Sequence, residues 1–278
     1  MDKSYLEIEN NPSAVDLNNV PVIEYDRFYT EVSDLLRDGS NHCLSYHGFE
    51  RDNDILFICL IADDSSGKIR AFSFRAGREL SSVKSLTTQC PAMHVFEREI
   101  HENLGIDFDG HPWLKPVRYP FNRKNRDEMM DNYPFYRIGS EELHEVGVGP
   151  IHAGVIEPGH FRFICNGEKV LHLEIHLGYQ HRGIENMLSG DLSPLQRCIL
   201  SESIAGETSV GHSIAHVQAI ESLSGIEPVE KLQIERSIAL ELERIAVHIG
   251  DMAALCGDVA YQLGQAVCEA LRTTIINS

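Results

Sequence analysis

Nowhere in this chain do two cysteines form a Cys-X-X-Cys pair. The seven cysteines, at positions 43, 59, 90, 165, 198, 256 and 268, are scattered. That pattern excludes a cysteine-framed zinc ribbon and a disulfide scaffold, and it predicts free thiols in a reducing compartment. Basic residues are also scarce, 24 Lys and Arg against 42 Asp and Glu, for a net charge of −18. Phosphate binding needs a basic footprint, so nucleic acid is not the expected partner. No apolar run approaches the roughly 20 residues of a spanning helix; the longest obvious one is Ile55–Ala62. The acidic N-terminus lacks the apolar stretch of a signal peptide, which predicts a cytoplasmic chain. No Gly-X-X-X-X-Gly-Lys run occurs, and Gly147-X-Gly149-Pro150 opens no helix, so neither a nucleoside triphosphate nor a dinucleotide is expected here. His212 and His216 share a helical face, but residue 213 is Ser, so the zinc-protease motif is absent too.

What is present predicts an α+β fold. Residues 1–20 are rich in Asn and are expected to form a poorly ordered tail. Phe28, Val32, Leu35 and Leu36 lie on one face of a helix over 26–37, which Gly39 stops. Strand-like runs follow at 43–49, 55–62 and 68–74, the last two joined by the hairpin loop 63–67. Pro91 then opens a helix that Gly105 ends. Together these give a small α+β domain over 21–112. Residues 113–145 keep no apolar period and are expected to be a linker. Its cluster Arg118, Arg123, Lys124 and Arg126 reads as a solvated loop rather than a docking site.

Residues 146–278 should begin with a β-hairpin region and continue as a mainly α-helical body. Asn166-Gly167 is a strong hairpin turn between strands 161–165 and 170–177. Alternation puts Leu171, Leu173, Ile175 and Leu177 on one face, and His172, Glu174 and His176 on the other. Zinc would accept the second set, but a solvated edge face needs no ligand and is the expectation. In the helical part, Ile238, Leu242, Ile245, Ile249, Met252 and Cys256 recur at spacings of three and four, which predicts a buried stripe.

The runs that carry most chemistry are Gly147-Val-Gly-Pro-Ile-His152-Ala-Gly, Glu157-Pro-Gly-His160-Phe-Arg-Phe and Gly178-Tyr-Gln-His181-Arg182-Gly-Ile-Glu185. They resemble the large subunit of the membrane-bound, energy-converting (group 4, formate-hydrogenlyase-like) nickel–iron hydrogenases, and the related D subunit of respiratory complex I. Glu97-Arg98-Glu99, followed by Gly105-Ile-Asp-Phe108-Asp-Gly110-His111-Pro112, is similar to the complex I C subunit fused ahead of it. The resemblance covers roughly residues 22–278.

The resemblance carries its own expectations. Family hydrogenases continue with Arg-X-Cys-X-X-Cys, whose thiolates hold nickel. The matching run here, Ser203-Ile-Ala205-Gly-Glu-Thr208-Ser-Val-Gly-His212, has Ala205 and Thr208 at those positions. Alanine has no donor atom and a threonine hydroxyl is hard and protonated, so a nickel–iron centre is not expected. The family's second cysteine pair would fall beyond Ser278. His152 matches the histidine at the quinone head-group of complex I, so a quinone is a candidate ligand. The companion tyrosine falls on Gly206. His181 and Arg182 match the pair beside the last iron–sulfur cluster, and Glu185 and His212 match polar positions around the hydrogenase site. The implied partners are a small iron–sulfur, B-subunit-like protein, which carries the cluster, and membrane ion-pumping subunits. The implied place is the cytoplasmic face of the inner membrane, held peripherally. Two other readings remain open: a structural subunit with no active site, and an active hydrogenase that takes its ligands from outside this chain.

Overall fold

The computed structural model describes residues 3–151 and 158–277. The chain divides into two compact units, residues 1–11 with 15–181 and residues 12–14 with 182–278. The class is α+β, as the sequence pattern predicts.

The first unit is built on a four-stranded antiparallel sheet. Its elements are β1 (Leu6–Ile8), α1 (Tyr25–Leu36), β2 (Asn41–Arg51), β3 (Asp54–Asp63) and β4 (Lys68–Gly77), with strand order β1-β4-β3-β2. Asp63 closes the β3–β4 hairpin. Its Oδ1 accepts from Ser65 N at 3.0 Å and Ser66 N at 3.2 Å, and Arg70 Nη2 donates to Oδ2 at 2.8 Å. Phe28 and Val32, one helical turn apart, bring α1 down on this sheet. The cross-strand partners Phe57 and Phe74 stack with ring centroids 4.3 Å apart, and Phe28 lies 4.7 Å from Phe74. Burying each such ring contributes about 1.5–3 kcal/mol.

The segment expected to be a loose tail, 1–20, departs from that expectation. It supplies β1, whose Leu6 pairs with Ala71 of β4, and Val20 is buried. Lys68 of β4 pairs with Glu7 and Glu9, which adds ion pairs to the strand pairing.

Next come β5 (Ser82–Lys84), α2 (His94–Leu104) and β6 (Asp107–Asp109), with β5 and β6 paired in parallel. Gly105 ends α2 in the left-handed region, φ 72°, and its N–H donates to His101 O at 2.8 Å. Three charged residues of α2, Glu97, Arg98 and Glu102, are buried. Glu97 is wholly buried, and its carboxylate accepts from Ser85 Oγ, Leu86 N and Thr87 Oγ1, each at 2.6 Å. Arg98 donates from Nε to Lys115 O at 2.6 Å and from Nη2 to Pro116 O at 2.9 Å, while Glu102 accepts from Val117 N and Arg118 N. The polar face of α2 therefore holds the arm that follows it.

This corrects the reading of the basic cluster as a solvated loop for Arg118 and Arg123, whereas Lys124 and Arg126 are exposed as expected. Arg118 pairs with Glu99 at 2.7 Å, and Arg123 is only 4% exposed and pairs with Glu128. The buried charges of α2 fix the start of the arm, at 115–118.

A second antiparallel sheet completes the unit: β7 (His144–Val148), β8 (His160–Asn166) and β9 (Lys169–His176), in that order. Its polarity is inverted relative to expectation. Glu174 and His176 are each 1% exposed, whereas Leu171, Leu173, Ile175 and Leu177 lie open. The polar face was expected to be solvated. It is covered because the arm lies on it: Lys115 and the Tyr136 N–H bond Glu174, and the rings of Tyr133, Phe135 and Tyr136 pack on His176 and His172.

The second unit holds α3 (Ile184–Leu188), α4 (Pro194–Glu202), α5 (Ser209–Ser224), α6 (Glu230–Asp258) and α7 (Gln262–Ile276). Ser193 and Gln196 form a reciprocal capping box with Pro194 at the first position of α4. Arg236 of α6 grips Glu221 of α5 through two hydrogen bonds of 2.8 and 2.7 Å. The predicted buried stripe on α6 is corrected as well. Ile238 is 55% and Met252 56% exposed, Ile249 and Cys256 are half-buried, and the buried positions are Ala246 and Ala253. α6 meets α7 through small residues, with Gly250 against the Arg272 side chain, and the long apolar side chains face away.

Candidate functional site

In the first unit, the chain leaves β9 at Gly178, whose φ is 98°. A side chain there would meet Val117 O at 3.1 Å and Tyr119 Cδ2 at 3.2 Å, so the close approach of arm and strand end requires glycine. Beside it lies a groove of about 410 Å³ lined by Val117, Phe161, Ile175, Leu177, Gln180 and His181. His181 therefore stands on the wall of a mixed apolar and polar groove. Its own N–H donates to Gly178 O at 3.2 Å. His152 lies outside the described residues.

Beneath Gly178 is a cage that sequence reasoning missed. His176 accepts or donates at both ring nitrogens, with Tyr119 Oη 3.2 Å from Nε2 and Tyr179 Oη 3.3 Å from Nδ1. Tyr133 stacks on its ring at 4.1 Å, and Phe135 meets it edge-on at 5.6 Å. Burial pushes the imidazole down to about 4, with the neighbouring His160 adding to the effect. Burial raises Tyr133 to about 12 and lifts Tyr119 and Tyr179 above the ordinary phenol value. The signal was present: strict alternation already put His172, Glu174 and His176 together. What the pattern could not show was which face the arm would cover.

In the second unit, Gly183 in the left-handed region, φ 72°, turns the chain into α3, with Glu185 in the first turn. An acidic side chain is favoured at that end of a helix. Arg182 Nη2 donates to Ser203 O at 2.6 Å and Ile204 O at 3.0 Å. It thus clamps the residues directly before Ala205.

Ala205 precedes a single turn, Gly206–Thr208, which runs into α5. Thr208 Oγ1 lies 2.8 Å from His212 Nδ1, and Thr208 O lies 2.9 Å from the same nitrogen. Glu243 of α6 accepts from Val210 N at 2.7 Å and Gly211 N at 3.0 Å, so a carboxylate fills the start of α5. The structure thus brings Arg182 to the 203–204 carbonyls and Thr208 to His212, while Glu185 lies a turn away at the head of α3.

This donor set does not fit a nickel–iron centre. Ala205 offers no donor atom, the Thr208 hydroxyl is already engaged, and no soft ligand stands at either position. Among the described residues no three His, Cys, Asp or Glu side chains are grouped to hold a metal ion. None of their helices is long and apolar enough to cross a membrane.

The fold and this clamped turn define a class: a small α+β domain and hairpin sheet leading into a helical body. Residues 26–131 match the family described as the 30 kDa subunit of respiratory-chain NADH dehydrogenase. The chain is 29% identical over 214 residues to hydrogenase-4 component G of Escherichia coli (strain K12), covering 70% of this chain and 38% of that one. It is 28% identical over 199 residues to formate hydrogenlyase subunit 5 of the same organism, covering 65% and 35%. Against the fused C/D polypeptide of NADH-quinone oxidoreductase from Phocaeicola vulgatus it is 27% identical over 212 residues, covering 66% and 41%. The chain is thus similar to subunits of energy-converting hydrogenases and of NADH-quinone oxidoreductase, and its residues 26–131 carry the domain of the 30 kDa subunit. It matches about two-fifths or less of the length of these curated relatives.

Proposed function

We propose that this chain is a peripheral subunit of a membrane-associated oxidoreductase complex of the hydrogenase or NADH–quinone oxidoreductase type. It packs on a small iron–sulfur subunit at the cytoplasmic face of the inner membrane, and electrons pass next to it. Membrane partners move the coupled ion. The relatives' names, as components of such complexes, support the reading. The observation that carries it is the turn at 203–212. Its backbone is clamped by Arg182 and capped by Glu243, but its two family ligand positions hold Ala205 and Thr208. A preserved loop without its donors suits a subunit kept for docking and electron transfer, not for hydrogen chemistry. A quinone-like ring fits the groove beside His181, where apolar walls would meet its faces and the imidazole could donate to a ring oxygen.

The test is a redox titration of the assembled complex with Arg182→Met. A guanidinium beside a cluster favours the reduced form, so its loss should lower that cluster's potential while assembly persists. An unchanged potential in an intact complex would favour the second reading, a structural subunit without its own redox role. The uncovered apolar side chains of α6 would support that reading equally.

A further inference from the structure

His176 has a second property that structural packing does not require. A neutral imidazole carries one N–H and one bare nitrogen, so one of its two tyrosine partners must donate and the other accept. The arrangement has two forms that differ only in where the protons sit. In one, Tyr119 donates to Nε2 and Nδ1–H donates to Tyr179. In the other, Tyr179 donates to Nδ1 and Nε2–H donates to Tyr119. The heavy atoms need not move between them.

We propose that Tyr119, His176 and Tyr179 form a proton relay under the groove that His181 lines. A proton passes from one tyrosine hydroxyl to the nearer ring nitrogen as the other ring nitrogen gives its proton to the second tyrosine. That tyrosine passes its original proton onward, and the first is reloaded from outside. Each group ends with the number of protons it began with, and only the imidazole tautomer has changed. No charge is left on a buried ring.

Three observations support the relay. His176 is 1% exposed, yet both tyrosines are only half-buried, so the chain of hydroxyl, ring and hydroxyl bridges a dry centre to wetter ends. Tyr133 stacks on the imidazole and Phe135 closes its edge, which holds the ring in the plane both hydroxyls need. The cage adjoins the groove, because the Tyr119 ring packs against Gly178, a groove residue. Charged and titratable groups flank the cage on every side. Glu174, on the same strand, is held by Lys115 at 2.5 Å and by Tyr136 N at 2.7 Å. Arg123 of the arm lies over the Tyr119 ring at 5.3 Å, and His160 comes from β8. Asp131 acts on the Tyr179 end.

Use of the relay to feed protons to a redox ligand rests on the function proposed above; its existence does not. The test therefore uses the full chain alone. Long-range ¹H–¹⁵N correlation of histidine-labelled protein near pH 7 reads the tautomer, with His176→Gln assigning the signals. The relay gives averaged ring-nitrogen shifts for His176, collapsing to one tautomer in Tyr119→Phe and to the opposite one in Tyr179→Phe. A single fixed tautomer in the wild-type chain overturns the proposal, whether or not the variants fold. So do averaged shifts that neither substitution alters.

Discussion

Lys115 Nζ lies 2.5 Å from Glu174 Oε1, joining the arm to the buried face of β9 across 59 residues of sequence. The lysine head also sits over the Trp113 ring at 4.4 Å, and the second carboxylate oxygen takes the Tyr136 N–H. This pair explains why the polar face of the hairpin sheet turns inward. Once Glu174 is 1% exposed, its charge must be matched, and the arm supplies both a cation and a backbone donor.

Lys115→Met should therefore destabilise the first unit strongly, by about 3–5 kcal/mol, because it leaves a buried carboxylate without its cation. Lys115→Met with Glu174→Leu should recover much of that loss. Urea unfolding of the three proteins measures it. Equal stability of Lys115→Met and the wild-type chain would show that the pair does not hold the arm.

The cage should leave a signature in the pH dependence of stability. His176 and His111 are both pushed from 6.5 down to about 4 by burial. Between those values the unfolded chain binds protons that the folded one refuses. Each group's stabilising effect is thus fully present above about 6.5 and is lost as pH falls towards 4. Glu97 and Glu102 have raised values and act in the opposite sense. The difference between wild type and His176→Gln therefore isolates the histidine. The wild-type advantage should shrink as pH drops from 7 to 4.5, as read from unfolding midpoints. An advantage independent of pH would contradict the assignment.

The division at residue 112 is a proposal about independent folding. The core of the first sheet is complete by Phe108, but Arg98 and Glu102 find their partners at 115–118. A fragment of residues 1–112 should fold but melt well below one of residues 1–145, because two buried charges lose their hydrogen bonds. Calorimetry of the two fragments decides it, and equal melting temperatures would mark the arm as a passive linker.

The uncovered apolar side chains make a further expectation. Leu173 and Ile175 on β9, and Ile238 and Met252 on α6, are exposed in the chain by itself. The isolated protein should bind a hydrophobic dye and self-associate. Ile238→Glu with Met252→Glu should reduce both without lowering the melting temperature, since neither side chain is in a core. A loss of helicity in that variant would mean the stripe is buried in solution.

Sequence pattern and structure agree where local periodicity decides. Phe28 and Val32 announce the buried face of α1, Asp63–Gly67 announces its hairpin, and Gly105 announces the end of α2. They part where a distant segment decides. The alternation of β9 fixes two faces but not which one Tyr133 and Phe135 will cover. The stripe on α6 reads as core because apolar side chains at that spacing want a partner, and among the described residues nothing covers that face. The family positions Arg182, Ala205, Thr208 and His212 were legible as a set. Their clamp was not, because Arg182 meets backbone carbonyls and Glu243 meets backbone amides, and backbone partners leave no trace in side-chain pattern.

The most direct measurement is the composition of the native complex recovered on a tagged form of this chain. Subunit identification and elemental analysis would be done on the same preparation. The expected result is co-purification of a small iron–sulfur subunit and membrane subunits, with iron present and nickel absent at stoichiometric level, because Ala205 and Thr208 provide no thiolate. Recovery of the chain without any iron–sulfur partner, or with one nickel per chain, would contradict the account.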